Sequence, residues 1–338
     1  MLRSLPPVVL SLLLLASNVP GFEWPSLANL PTLPPMPWEK PAASAIPGLT
    51  PDQEATLRLQ IFLDRQGFPP GKVDGKPGEF LGKAVGRYQL AHGLPVTGVA
   101  GAGIPPVSTA PTVVTYTITA DDLRQIGRCP TTVEAQATQT ALPYATVQEF
   151  LTERFHCAPK LLQTLNPTWT SEDLLVGATV QVPNVEPFRI EALPRIWPAH
   201  PAFRQRIIQV HRAERMLDLW EGKTLLASFP ITPGGGTVET PAGHWHLTAI
   251  AVAPTFRWDR SVLETGKRSD TFFLLPAGPN NPVGVLWCAL NRPGIGLHGT
   301  DNPQTIGRAT SHGCIRLANW DIVRLAAQVT PGVQVDIE

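Results

Sequence analysis

Proline takes 37 of the 338 positions, about 11% and roughly twice the usual share. Each proline fixes φ and removes a backbone donor, so it is shut out of helix interiors and central strands. A chain this rich in proline spends part of its length as linker and builds its folded parts from loops and strands. The length is a prior for two or three domains, and 43% hydrophobic residues are enough for a core. Lys+Arg and Asp+Glu balance at 27 each. That excludes a strongly basic nucleic-acid binder and an acidic disordered chain.

Arg3 is the only charge before Glu23, and an apolar run extends from Val8 to Ala16. The run is too short to cross a bilayer, which takes about 20 apolar residues. A positive start followed by a short apolar run predicts a secretory signal over residues 1–22; a short buried helix is the alternative. No later stretch could span a membrane. Export to an oxidising compartment favours disulfides among the four cysteines. Cys129 and Cys157 share one segment and are the expected structural bridge. Cys288 lies in an apolar strand, either as an inert buried thiol or as an oxidised partner of Cys314.

Residues 23–51 hold proline every few positions with no helical or strand period, which predicts an extended tether. Trp24 and Trp38 could instead dock it on a folded domain. A compact helical unit is expected over residues 52–99. Asp52 can cap a helix starting at Gln53, with Leu57, Leu59, Ile61, Phe62 and Leu63 as its apolar face. A second helix carries Phe80, Ala84, Val85, Tyr88 and Leu90 at helical spacing. The unit reads LQ-x-x-L-x-x-x-GF from Leu59, G-x-V-DG-x-x-G from Gly71 and AV-x-x-YQ-x-x-x-GL-x-x-x-G from Ala84. This pattern resembles the peptidoglycan-binding domain of bacterial cell-wall enzymes, and the resemblance implies wall attachment.

A linker at 100–112 leads to a third segment, 113–186. It begins with the strand-like VVTYTIT, continues through two helical stretches, VQEFLTERF and KLLQTLNPTW, and ends with LLVGATVQVPNV. Strand, two helices and strand, with LQTLNP at Leu162 to Pro167 and L-x-VGATVQVP at Leu174 to Pro183, resemble the lysin motif (LysM), a small α+β glycan-binding unit. Arg124 to Ala145, which includes Cys129, looks inserted. A spacer that has lost glycan binding is the other reading.

Residues 187–338 change to short strands with Gly/Pro turns. RQRIIQVHRAERMLDLWEGKTLLASFPIT reads as three strands, with a hairpin turn at Glu221-Gly222-Lys223. TPAGHWHLTAIAVAP adds another strand, and Asn319 to Ala327 is the one clear helix. A mostly β domain is expected. Arg257 to Asp270, with Trp258, could form a flap. Within GIGLHGTDNPQTIGRATSHGCIRLANWD lie His298, His312 and Cys314. A thiol attacks as thiolate, and a nearby imidazole can take its proton. The Gly-Cys step leaves amides free to point at a developing oxyanion. His244 and His246 lie two apart on one strand face and could ligate a metal with His298 or Cys314. That arrangement would describe a zinc-dependent hydrolase, although no metalloprotease carboxylate pattern accompanies it.

HGT followed by SHGCIR, with PVGVLWCALNRPGIGLHGT and TPAGHWHL around it, resembles the L,D-transpeptidase catalytic domain of YkuD type over roughly Arg206 to Ile337. The resemblance implies a β sandwich around a cysteine site, hence a multidomain chain with a mainly β catalytic domain behind the two small modules. It implies Cys314 as nucleophile, His298 as base, and the Gly299 carbonyl as the group orienting His298. Gly313 and Cys314 amides would form the oxyanion hole, with Ser311, His312 and Arg316 completing the site; Arg316 would bind a substrate carboxylate or hold the loop. No cofactor is implied. The reaction would be acyl transfer through a Cys thioester on a peptidoglycan stem peptide, with loss of D-alanine. The acceptor could be a second stem (a 3–3 cross-link), an outer-membrane protein, or water, which would make the enzyme an L,D-carboxypeptidase. A non-catalytic wall-binding scaffold is the remaining alternative. Peptidoglycan is the expected partner and the bacterial periplasm or cell envelope the expected location, with no nucleic acid involved.

Overall fold

Thr50 starts the first helix. Its hydroxyl accepts the Gln53 amide while the Gln53 side chain accepts the Thr50 amide, a capping box that satisfies two orphan donors. Pro51 takes the first helical position, where it forfeits no hydrogen bond. Asp52, expected as the cap, instead sits in the first turn, where a carboxylate favours the helix dipole. The computed structural model describes residues 46–101, 111–170, 175–235, 238–311 and 313–338. The expected signal and most of the Pro-rich tether, including Trp24 and Trp38, lie outside these residues, as does most of the second linker. Among the described residues no helix is long and apolar enough to cross a membrane.

Helices α1 (Pro51–Arg65) and α2 (Glu79–Ala91) form the first unit. Leu59, Leu63, Phe68, Leu81, Val85 and Tyr88 make its core, but the core is closed by Leu225, with Trp220 packed against it, from the far C-terminal region. Arg87 of α2 reinforces this contact. It donates to Asp218 at 3.0 Å and to Glu214 at 2.7 Å. The first unit is therefore docked rather than tethered.

The second unit runs β1 (Val113–Thr117), α3 (Ala120–Leu123), α4 (Val133–Ala137), α5 (Val147–Arg154), α6 (Pro159–Leu165) and β2 (Thr179–Pro183). β1 and β2 pair antiparallel, Val113 opposite Pro183, and α5 and α6 pack beneath them through Phe150, Leu151, Leu161 and Leu162. The stretch 124–145 closes on itself through a bridge between Ile126 and Tyr144. It also reaches the C-terminal region, where the Leu142 amide donates to Ala277 at 2.9 Å. Gly278 permits the approach: it holds φ +146°, and a Cβ there would stand 2.1 Å from the Leu142 carbonyl oxygen. The expected Cys129–Cys157 disulfide is not formed, and both thiols are free. Cys157 is buried against the first unit, bridged to Val73. The inserted stretch carries Cys129 away, to within electrostatic reach of Glu149 and Asp301.

The third unit contains β3 (Arg206–His211), β4 (Met216–Glu221), β5 (Thr224–Pro230), β6 (Gly243–Val252), β7 (Phe256–Trp258), α7 (Arg260–Thr265), β8 (Phe273–Leu275), β9 (Leu286–Leu290), β10 (Gly296–His298), β11 (Ile315–Arg316), α8 (Asn319–Ala326) and β12 (Gln334–Ile337). Among the described residues, eight strands bond in the order β11-β10-β9-β6-β12-β3-β4-β5. They make one curled sheet rather than two separate ones. Register shifts at Leu219/Trp220 and Leu247/Ala249 give the local twist that lets it bend. Trp320, Ile322 and Leu325 of α8 fill its core. The stretch expected as a flap is the β7–α7–β8 excursion. The Asp259 carboxylate closes it, accepting from the amides of Ser261 and Ser269, the Ser269 hydroxyl and Arg257.

All three units meet on α8. Arg324 binds Asp64 of α1. The ring of His156, at the end of α5, stacks on Trp320 with centroids 4.9 Å apart, and its Nδ1 meets the same Asp64 at 3.1 Å.

Candidate active site

Short strands at one edge of the sheet assemble the site. β10 and β11 run parallel, Leu297 opposite Ile315 and His298 opposite Arg316. Side chains alternate along a strand, so His298, Arg316 and Cys314, two residues earlier, belong to one face. The loop carrying Cys314 is held from the other side. Thr232 and Arg316 exchange backbone bonds at 2.9 and 3.0 Å, the Ser311 amide donates to Pro233 at 2.9 Å, and the Gly235 amide donates to Ser311 at 3.2 Å. Gly313 turns with φ +96°, a conformation open to glycine and strained for other residues. The Ser311 hydroxyl donates to the Cys314 carbonyl. This bond tightens the turn that carries Cys314. His312 lies outside the described residues.

His298 is buried. Its Nδ1 stands 2.6 Å from the carbonyl oxygen of Gly299. A carbonyl only accepts, so Nδ1 carries the proton and Nε2 presents a lone pair. Trp287, directly opposite on β9, stacks on the ring at 5.3 Å and 17°. Burial pushes the His298 pKa down to about 3, with the Gly299 bond opposing and Arg316 adding to the drop. Burial pushes the Cys314 thiol up to about 11, against the pull of the Gly296 amide and Arg316. The thiol rests 3.3 Å from the Gly294 carbonyl oxygen. Both shifts favour the uncharged forms, a thiol on Cys314 and an imidazole on His298. Arg316 keeps a buried Nε without a hydrogen-bond partner, a donor awaiting an acceptor.

Cys288 pairs with Leu297 across β9 and β10, so it faces the apolar core, opposite to His298 and Cys314. That removes it as a disulfide partner of Cys314. Burial pushes its thiol up to about 12. His244 and His246 are exposed on β6, with His244 bonded to Asp336 at 2.7 Å. Among the described residues no group of three His, Cys, Asp or Glu side chains converges as a metal ion would require.

Residues 205–337 match the L,D-transpeptidase catalytic domain family YkuD, and residues 52–103 match the peptidoglycan binding domain family. The chain carries a YkuD-type catalytic domain. Its relatives include the "Putative L,D-transpeptidase YkuD" of Bacillus licheniformis, 32% identical over 123 residues. That match covers 36% of this chain and 59% of the relative. The protein of the same name in Bacillus subtilis is 27% identical over 184 residues, covering 54% of this chain and 88% of the relative. Among solved structures, L,D-transpeptidase 3 from Mycobacterium tuberculosis aligns over 49% of this chain and 76% of its own, at 16% identity and a TM-score of 0.32.

Three residues around the candidate site were not visible in sequence. Trp287 looks like any strand tryptophan until the register places it on His298. Asn319 looks like a helix start, yet it is fully buried. Its Oδ1 accepts from the Thr300 and Val285 amides at 3.2 Å, and its Nδ2 donates to the Thr300 carbonyl at 3.0 Å. Glu153 of α5 is the third. It accepts from Asn319 at 3.0 Å and from the Tyr144 hydroxyl at 2.7 Å. A carboxylate in an amphipathic helix gives no sign of burial; a second unit had to cover it.

Proposed function

We propose that the protein is an exported cysteine L,D-transpeptidase acting on peptidoglycan stem peptides. The observation that carries this reading is the Nδ1–Gly299 bond, which leaves Nε2 of His298 as a base on the face of Cys314. In the first step Nε2 takes the thiol proton as sulfur attacks the carbonyl of the third residue of a donor tetrapeptide. The amides of Gly313 and Cys314 receive the oxyanion; among the described residues neither has a backbone acceptor. His298 then gives its proton to the departing D-alanine amine, leaving a thioester on Cys314. In the second step an acceptor amine attacks the thioester, His298 removes the amine's proton, and the same proton returns to sulfur as the new amide leaves. Arg316, with its unpaired Nε, is suited to a substrate carboxylate. The two N-terminal units would contact the wall, the second through glycan if its lysin-motif pattern is functional. The apolar run at Val8 to Ala16 would direct the chain to the cell envelope.

Incubating the mature chain with disaccharide-tetrapeptide, beside Cys314→Ala, and reading the products by mass spectrometry tests this. A dimer lighter by one D-alanine, absent in the variant, is the expected product. Tripeptide monomer alone would make it an L,D-carboxypeptidase. No turnover with reduced thiols would remove stem-peptide cross-linking and leave a protein acceptor or a wall-binding scaffold.

A further inference from the structure

The His298 imidazole is oriented by a carbonyl, and that carbonyl is itself oriented. The Gly299 carbonyl and the Thr300 amide belong to one peptide unit, which is planar. The Thr300 amide is fixed by Asn319 Oδ1 at 3.2 Å, so the direction of the Gly299 carbonyl is fixed with it. Asn319 is also pressed onto this turn, since a Cβ on Gly299 would lie 2.0 Å from its Oδ1. A primary amide could turn over and present its NH2 where its oxygen now sits. Glu153 opposes this by offering two carboxyl oxygens to Nδ2, at 3.0 and 3.2 Å. Glu153 is in turn held by Tyr144 at 2.7 Å, from the end of the inserted stretch of the second unit.

We propose that Glu153, on the second unit, is a positioning residue for His298, acting through Asn319 and the Gly299–Thr300 peptide. The proposal rests on His298 being the base of the reaction above. It makes the second unit part of the catalytic apparatus as well as a candidate wall contact. Glu153 touches neither substrate nor thiol. Burial pushes its pKa up to about 8, with the Tyr144 and Asn319 bonds opposing and Glu149 and Asp301 adding to the rise. An uncharged amide of the same shape keeps an acceptor for Asn319, whereas alanine removes it.

The test uses the full chain in wild-type, Glu153→Gln and Glu153→Ala forms, with Asn319→Ala alone and combined with Glu153→Ala. Two readouts are taken: the rate at which the carbapenem meropenem acylates Cys314, by mass spectrometry, and the tautomer of His298, by 15N NMR of labelled imidazoles. Glu153→Ala is expected to slow acylation about ten- to a hundredfold, the size of a small misplacement at a reacting centre, and to mix the His298 tautomers. Glu153→Gln should stay near the wild-type rate. The double variant should be no slower than Asn319→Ala alone, because both act along one path. If Glu153→Ala does not fold, Glu153→Leu, which keeps the volume, carries the same comparison. Wild-type acylation and a single Nδ1–H tautomer in either apolar variant would overturn the proposal. A wild-type chain that meropenem leaves untouched, with tautomers still mixing in Glu153→Ala, would remove the transpeptidase reading and leave the relay standing.

Discussion

Arg324 grips Asp64 with both terminal guanidinium nitrogens, at 2.8 and 3.0 Å, and so ties α8 to α1 across the whole fold. Asp64 is fully enclosed. Burial alone would raise its pKa, but His156 and Arg324 hold the carboxyl well below the usual carboxylate range. Asp64→Asn strands the Arg324 charge and should cost about 3–5 kcal/mol, as breaking buried pairs does. The folded pKa is depressed, so this contribution is complete above the unfolded value of about 4 and fades only as acid drives below it. Urea midpoints of wild type and variant should differ by a constant amount at neutral pH and converge in strong acid. Equal midpoints at pH 7 would sink the argument.

Glu153 has the opposite sign. Its folded pKa is raised to about 8, so between the unfolded value near 4.3 and about 8 the folded state holds the extra proton. Stability should fall as pH rises through that window and level off above it. Asp321, also pushed up to about 8 by burial, adds to the slope. Glu153→Gln should flatten it, as measured by melting temperature at pH 5, 6.5 and 8. An unchanged slope would place the titration elsewhere.

On the proposed mechanism, the uncharged Cys314 thiol and His298 imidazole set the pH profile of catalysis. With the thiol near 11 and the imidazole near 3, the competent protonation state of the free enzyme spans the range between. kcat/KM should therefore be flat from about pH 5 to about pH 9, since that parameter reports the free enzyme's groups. A limb with an apparent pKa near 6.5 would mean that His298 titrates as an exposed imidazole. His298→Gln should lose about a hundred- to ten-thousandfold of the rate, the usual worth of a general base, with stem-peptide turnover as the assay.

Gly278→Ala should loosen the second unit from the β7–β8 excursion. The new methyl meets the Leu142 carbonyl oxygen, and φ +146° strains any residue with a Cβ. A cost of about 1–3 kcal/mol is expected for the strain. Hydrogen exchange at the Leu142 amide, which donates to Ala277, should quicken more than exchange within the β3–β4 pairing. Uniform quickening would mean global destabilisation instead.

What the sequence conveyed was local. Leu59 to Phe68, the alternation from Arg206 to Pro230 and the helix at Asn319 declare themselves through periods of 3.6 or 2, and they stand where those periods place them. The HGT and SHGCIR segments carried the candidate nucleophile and base because both lie on strand ends that side-chain alternation aims to one face. Features that depend on one unit meeting another were silent. Nothing in the local pattern marks Leu225, Glu153 or Gly278, and Cys129 was expected as half of a bridge. Each is explained only by its neighbour, and hydrophobic period does not encode which neighbour that is. The cap at Thr50 was missed for a smaller reason: Pro51 is a favoured first helical residue, which moves the cap one position upstream of it.

The core of α1 and α2 is finished by Leu225 and Trp220, residues belonging to the strands that follow more than a hundred positions later. The N-terminal unit is thus no interchangeable cassette. Excising it to express the catalytic region would uncover two large apolar side chains and leave Asp218 without Arg87. Grafting it onto another enzyme would hand the recipient an unfinished core. Moving such a unit between chains would require matching substitutions on both sides of the seam, at Leu225 and Trp220 and in the core they close.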